Sequence, residues 1–179
     1  METVRIATTD HPLFAPLWAV YRESFPRNER RSFDRQQAAF RSDRYRLNAY
    51  LENGKIVGLA GYWDFPDYVY VEHLAVDSGL RGGGYGGRML EELLRSVAKT
   101  VVLEIEPVED EATARRLRFY ERAGFRVNSH AHRQYKYHDD DPDDFALTVL
   151  SYPDEISAEQ YERFDRDLRE TVMAGHPLP

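Results

Sequence analysis

A chain of 179 residues with 42% hydrophobic and 31% charged residues has the length for one domain with a real core, and too little for two large ones. A net charge of −7 argues against a duplex nucleic-acid binder, which needs a basic surface to displace counterions. It fits small-molecule work better, with a cationic substrate as the natural partner. The absence of cysteine excludes disulfides, thiolate catalysis and cysteine-bound zinc. Met1-Glu2-Thr3-Val4-Arg5 lacks an apolar signal region, and no apolar run is long enough to cross a bilayer. The expected location is therefore the cytoplasm, with no membrane partner.

Residues 3 to 7 alternate as a short strand. Asp10 suits an N-cap, and Leu13, Leu17, Val20 and Tyr21 fall at helical spacing, which predicts a helix over 11–24 that ends before Pro26. Residues 27–31 form a charged loop, and Ser32 caps a shorter helix to about 41. A hairpin follows, with strands at 45–51 and 56–63 around Asn53-Gly54, whose residues both tolerate positive φ. Residues 68–76 make a further strand, completing an antiparallel meander.

Behind that strand lie five glycines in six residues, Gly82-Gly83-Gly84-Tyr85-Gly86-Gly87, and then an amphipathic helix bearing Met89, Leu90, Leu93 and Val97. Residues 100–106 form a β-branched, buried strand, and 109–123 a helix ended by Gly124 at the left-handed position. Strands at 125–127 and 145–151 and a last helix over 157–173 complete the chain. The last helix has two places to pack, its own domain or a second subunit, so a homodimer is one outcome. The expected architecture is a single domain over 1–179 of mixed α/β (α+β) class. A mostly antiparallel twisted sheet is flanked by helices, with a core over about 3–151.

Glycine is costly in ordered elements, so the run needs a reason. A loose loop does not belong between a strong strand and a strongly periodic helix. Bare backbone at a helix N-terminus does suit an anion. The P-loop pattern fails because no Gly-Lys-Ser/Thr follows. Gly82-x-Gly84-x-x-Gly87 matches the dinucleotide fingerprint by letter, and Glu106 lies nineteen residues further on. The preceding meander and the shortage of strands contradict a doubly wound sheet. An RNA-binding Arg-Gly-Gly segment is disordered and repeated, and this one is neither.

Arg81-x-x-Gly84-x-Gly86 resembles the Q/R-x-x-G-x-G/A signature of the Gcn5-related N-acetyltransferases, and Phe119-Tyr120-Glu121-Arg122-Ala123-Gly124-Phe125 resembles that family's later FYE-x-x-GF segment. The order of elements agrees over about 3–151. The resemblance implies acetyl transfer from acetyl-CoA to a primary amine by direct attack in a ternary complex. It implies that the main chain of Leu74, Ala75 and Val76 pairs with the pantetheine arm, and that a backbone N–H near Val76 meets the oxyanion. It also implies that Arg81, Gly82, Gly83, Gly84, Tyr85, Gly86 and Gly87 hold the pyrophosphate. Tyr120 matches the tyrosine that hydrogen-bonds and protonates the leaving thiolate. The family commonly has an asparagine seven residues before that tyrosine, where this chain has Thr113.

Acyl transfer needs a deprotonated amine. Glu72, on the strand before the loop, is one candidate base. Its plainer role is to pair with an arginine, and alternation turns His73 to the opposite face as a structural residue. Glu104, on the buried strand, is the competitor, and a mechanism with no dedicated base remains open. His130-x-His132 with His138 fits no standard metal set, so no metal is expected. The acidic run from Asp139 through Asp144 reads as a solvated loop, or as a lure for a cationic acceptor at the site entrance. The resemblance implies a small-molecule or peptide amine as acceptor. A non-catalytic acyl-CoA-binding or sensory module with the same loop is the alternative to an enzyme.

Overall fold

The computed structural model describes residues 1–141 and 145–174, which fall into two compact units, residues 1–99 and the described residues from 100 onward. In the first unit β1 (Glu2–Ile6), β2 (Tyr45–Glu52), β3 (Lys55–Asp64) and β4 (Tyr68–Val76) pair in chain order, every pairing antiparallel. The β2–β3 turn is the Asn53-Gly54 pair, at φ 52° and 75°, so both residues do take the positive φ that a tight hairpin needs.

Helices α1 (Phe14–Ser24) and α2 (Phe33–Ala39) precede the hairpin, and α3 (Tyr85–Val97) follows β4. Met89, Leu90 and Leu93 of α3 are buried on one face. A Cβ on Gly58 would stand 2.4 Å from the Ala75 carbonyl oxygen of β4 and 2.7 Å from the Met89 side chain of α3, so the strand is glycine where it passes beneath the helix. Ser32 caps α2 as expected, accepting from the Arg35 N–H.

Helix α1 starts three residues later than the sequence predicts, with no side-chain cap at Leu13. Proline is tolerated only in the first helical turn. A helix from 11 would carry Pro16 in its second turn, whereas the observed start puts Pro16 third.

The second unit holds β5 (Thr100–Ile105), α4 (Glu111–Arg122), β6 (Arg126–Val127), β7 (His132–Arg133), β8 (Ala146–Tyr152) and α5 (Ala158–Asp167), the last running on as a π-helical turn over Leu168–Val172. Strand β8 is the hub. It pairs antiparallel with β5 on one edge and with β6 and β7 on the other. The two-residue strand β7 lies outside the elements expected from the sequence, being too short to carry a period. Helices accompany antiparallel strands in both units, the mixed α/β class that the sequence implies. Among the described residues no helix is long and apolar enough to cross a membrane.

The acidic run is only partly a solvated loop. Asp141 is 7% exposed, and its Oδ2 accepts from the backbone N–H groups of Tyr137 and His138 at 3.1 and 2.8 Å. Residues 142–144 of the run lie outside the described residues.

Candidate functional site

The glycine run does two separable things. Gly82 and Gly84 stand at φ 82° and 76°, a region that L side chains rarely adopt. Gly84 is the N-cap of α3 and gives it no side-chain cap. The first bond of the helical ladder runs from the Arg88 N–H to the Gly84 oxygen, at 3.3 Å. The N–H groups of Tyr85, Gly86 and Gly87 therefore precede the ladder. A Cβ built on Gly82, Gly84 or Gly87 would meet nothing within 4 Å, so these glycines leave room above the backbone and are not packed against protein.

Arg81 is exposed beside the run. Sequence reasoning missed Arg88, whose guanidinium lies in the first turns of α3, 5.3 Å from the Tyr85 ring centroid and 3.0 Å from Glu52. Uncapped donors and the positive helix end are what a cradle for a phosphate-type anion needs, while the Arg88 guanidinium is held by the Glu52 carboxylate.

At the end of β4 the hydrogen-bond alternation settles where the main chain points. The Asp77 N–H donates to the Val57 oxygen at 2.9 Å, so Val57 and Asp77 are a hydrogen-bonded pair in the β3–β4 register. One step along, Gly58 faces Val76, and Ala60 faces Leu74. Alternation makes both of these non-hydrogen-bonded pairs. The N–H and C=O groups of Leu74 and Val76 thus turn away from β3.

The register shifts between Gly61 and Tyr62, whose partners are His73 and Val71. Glu72 is the extra residue of a β-bulge, and the bulge overturns the alternation expected for His73. Both side chains reach one cluster, with His73 Nδ1 3.9 Å from Glu72 Oε1. The Glu72 side chain is wholly enclosed. Its Oε2 lies 2.6 Å from Arg31 Nη1 and accepts from Trp63 Nε1 at 2.8 Å. The Arg31 guanidinium lies over the rings of Tyr45 and Trp63, and its backbone N–H donates to the Tyr21 hydroxyl at 2.8 Å. His73 Nε2, 2.9 Å from the Glu29 carbonyl, is fixed as a donor. Burial pushes the Tyr45 hydroxyl up to about 12, against the pull of Arg31.

In the second unit the FYE-x-x-GF segment has a local explanation. The Phe125 N–H reaches the Tyr120 oxygen at 3.1 Å and the Gly124 N–H reaches the Glu121 oxygen at 3.0 Å. Gly124 stands at φ 95°, and the Phe125 ring packs edge-on to Tyr120 at 5.5 Å. This is a complete Schellman ending with its hydrophobic contact, and it fixes Tyr120 on the last turn of α4. The Tyr120 side chain is buried, and burial lifts its hydroxyl to about 12 despite Arg116. The hydroxyl makes no hydrogen bond among the described residues, and it is a protonated donor at any working pH. Thr113 is committed elsewhere, forming a capping box with Asp110 at the start of α4.

Glu104 on β5 keeps 13% of its side chain exposed and is bound to His132 Nε2. His132 Nδ1 lies 2.9 Å from the Tyr161 hydroxyl. Burial disfavours the imidazolium, but Glu104 and then Asp165 outweigh it and raise the His132 pKa above 6.5. His130 goes a different way, stacking on Tyr161 with its Nε2 3.1 Å from the Ile156 carbonyl. Among the described residues no group of three His, Cys, Asp or Glu side chains is placed to hold a metal.

The description "Acetyltransferase (GNAT) family" matches residues 13–125. "Putative acetyltransferase YjbC" of Bacillus subtilis (strain 168) is 35% identical over 108 residues, 58% of this chain and 53% of that protein, so the chain spans about half the length of this relative. A solved structure from Bacteroides thetaiotaomicron, "Putative acetyltransferase from GNAT family", is 31% identical with a TM-score of 0.88, covering 96% of this chain and 98% of the other. A GNAT family acetyltransferase from Elizabethkingia anophelis, solved with acetyl-CoA bound, shares the fold at 16% identity and a TM-score of 0.60, covering 84% and 95%.

Proposed function

The chain belongs to the GNAT family of acetyltransferases, and from that premise we propose that it moves an acetyl group from acetyl-CoA to a primary amine by direct attack in a ternary complex. The observation that carries the donor half is the uncapped N-terminus of α3, with open space above Gly82, Gly84 and Gly87. Acetyl-CoA supplies an activated thioester and a pyrophosphate that such a cradle suits. In this reading Leu74 and Val76 offer their outward main chain to the pantetheine arm as an added strand would. The Val76 N–H meets the developing oxyanion, and the Tyr120 hydroxyl donates to the departing sulfur.

For the base, the geometry supports Glu104 over Glu72. A proton arriving on Glu72 would remove the buried carboxylate charge that Arg31 meets at 2.6 Å, a costly change inside the protein. Glu104 keeps an accessible edge. Glu72 is then the anchor that holds Arg31 and Trp63 around the β4 bulge. The net charge of −7 favours a cationic amine as acceptor.

Two measurements test the reading. Acetyl-CoA at millimolar concentration is expected to raise the melting temperature, and coenzyme A is expected to be released over a panel of polyamines, amino acids, aminoglycosides and peptides. Stabilisation without release on any amine would instead favour the non-catalytic acyl-CoA-binding module.

A further inference from the structure

Glu104, His132 and Tyr161 come from three different elements, β5, β7 and α5, yet form one continuous chain of polar contacts. His132 Nε2 meets the Glu104 carboxylate. His132 Nδ1 lies 2.9 Å from Tyr161 Oη, and Tyr161 Oη lies 2.9 Å from the Ala131 carbonyl. The His132 side chain is 1% exposed.

The arrangement satisfies two charge states without moving the ring. In the imidazolium, Nε2–H donates to Glu104 and Nδ1–H donates to the Tyr161 oxygen, whose own O–H donates to Ala131. When Nδ1 loses its proton it becomes an acceptor. Rotation of the phenolic O–H turns it from the carbonyl onto Nδ1, while Nε2–H stays on Glu104. A histidine held for packing alone needs only one satisfied state.

Among the described residues, the charged and titratable groups that act on the ring are Glu104 on β5 and Tyr161 and Asp165 on α5, with His130 stacked on the Tyr161 ring. Asp165 also accepts from Tyr135 at 2.9 Å and pairs with Arg169 at 3.9 Å. Phe164 closes the apolar side, 5.7 Å between centroids.

We propose that His132 is a positioning residue for Glu104, holding it as a neutralised pair while the ring is charged and releasing it as a full carboxylate base when the ring loses its proton. The inference rests on the acyl-transfer reading. In the step, Glu104 takes the proton leaving the amine nitrogen as the N–C bond forms and the C–S bond breaks. Tyr120 protonates the thiolate, and exchange with solvent restores both residues.

The test joins two arms on the full chain. Histidine ring signals are followed by NMR from pH 5 to 9, with His132 assigned from His132→Gln. The His132 midpoint is expected above the ordinary value and is expected to fall in both Glu104→Gln and Tyr161→Phe. In parallel, kcat/KM on the best amine is measured against pH. Wild type is expected to keep about a tenth of its plateau one unit below the NMR midpoint. His132→Gln is expected to lose that inflection while the KM for acetyl-CoA stays constant. A midpoint unmoved by Glu104→Gln, or an inflection that survives in His132→Gln, overturns the proposal. If His132→Gln fails to fold, Tyr161→Phe must shift the NMR midpoint and the kinetic inflection together, and a kinetic inflection that stays behind also overturns it. Failure of the underlying reading is separate and visible as acetyl-CoA bound with no amine turned over, while the NMR arm still reports on the pair.

Discussion

Arg31 and Glu72 meet at 2.6 Å with their side chains almost wholly out of solvent, 1% and 0% exposed. One comes from the segment before α2 and the other from the bulge of β4, so the pair ties the N-terminal helices to the strand that carries Leu74 and Val76. Removing one partner takes away the buried charge that the other meets at 2.6 Å. Arg31→Met is therefore expected to cost about 3–5 kcal/mol, read as a lower urea midpoint. The double variant Arg31→Met/Glu72→Leu is expected to recover part of that loss, because desolvation of both charges vanishes. Glu72→Gln that stays folded should retain turnover. Abolished turnover with acetyl-CoA binding intact would return the base role to Glu72.

Two glycines of the cradle separate stability from binding. Gly84 stands at φ 76°, so Gly84→Ala is expected to cost about 1–2 kcal/mol in folding and also to weaken acetyl-CoA. Gly87 lies inside α3 with open space at its Cβ position. Gly87→Ala is expected to stabilise the protein by up to about 1 kcal/mol while still weakening acetyl-CoA, because the methyl fills the room left for the anion. Melting curves and calorimetric titration should thus move in opposite directions for Gly87→Ala and in the same direction for Gly84→Ala.

What could be read from the chain follows from the range over which each signal acts. The Asn53-Gly54 hairpin, the Ser32 cap and the Gly124 ending are decided within a few residues, and each stands where its sequence puts it. The α1 start needed Pro16 to be weighed against Asp10, two local signals in conflict. The β4 bulge carries no sequence mark, so the alternation that turned His73 away from Glu72 held only until Glu72 itself. Arg31 reads as one member of a charged loop, and nothing local says that it turns inward onto Trp63 and Tyr45. His132 was set aside with His130 as a failed metal motif. Its partners, Glu104 and Tyr161, lie 28 and 29 residues away, a separation at which spacing alone identifies no contact.

Tyr120 tests the leaving-group role without disturbing the fold. Its hydroxyl has no hydrogen-bond partner among the described residues, and its ring contacts with Phe119 and Phe125 survive in phenylalanine. Tyr120→Phe is expected to leave the melting temperature within a few degrees and to lower kcat by about 10²–10⁴-fold, the usual range for a lost general acid, with little change in the KM for acetyl-CoA. Because burial holds the hydroxyl near 12, wild type should show no loss of this acid up to about pH 10. An alkaline limb in kcat near pH 8 that vanished in Tyr120→Phe would contradict the assignment.

The Glu104–His132 pair also makes a statement about stability that needs no substrate. The pKa of His132 is raised in the folded protein above its ordinary 6.5, so between those two values the native state holds more protons than the unfolded chain. Stability from this pair is therefore fully present below pH 6.5 and is lost as pH rises through the folded value. Its slope is at most about 1.4 kcal/mol per pH unit for one such group. Urea denaturation of wild type between pH 6 and 9 is expected to show this decline, superimposed on whatever the rest of the chain contributes. In Glu104→Gln the partner charge is gone, burial dominates, and the decline should flatten or reverse. An identical pH slope in wild type and Glu104→Gln would mean that the contact seen between the two side chains carries no proton linkage.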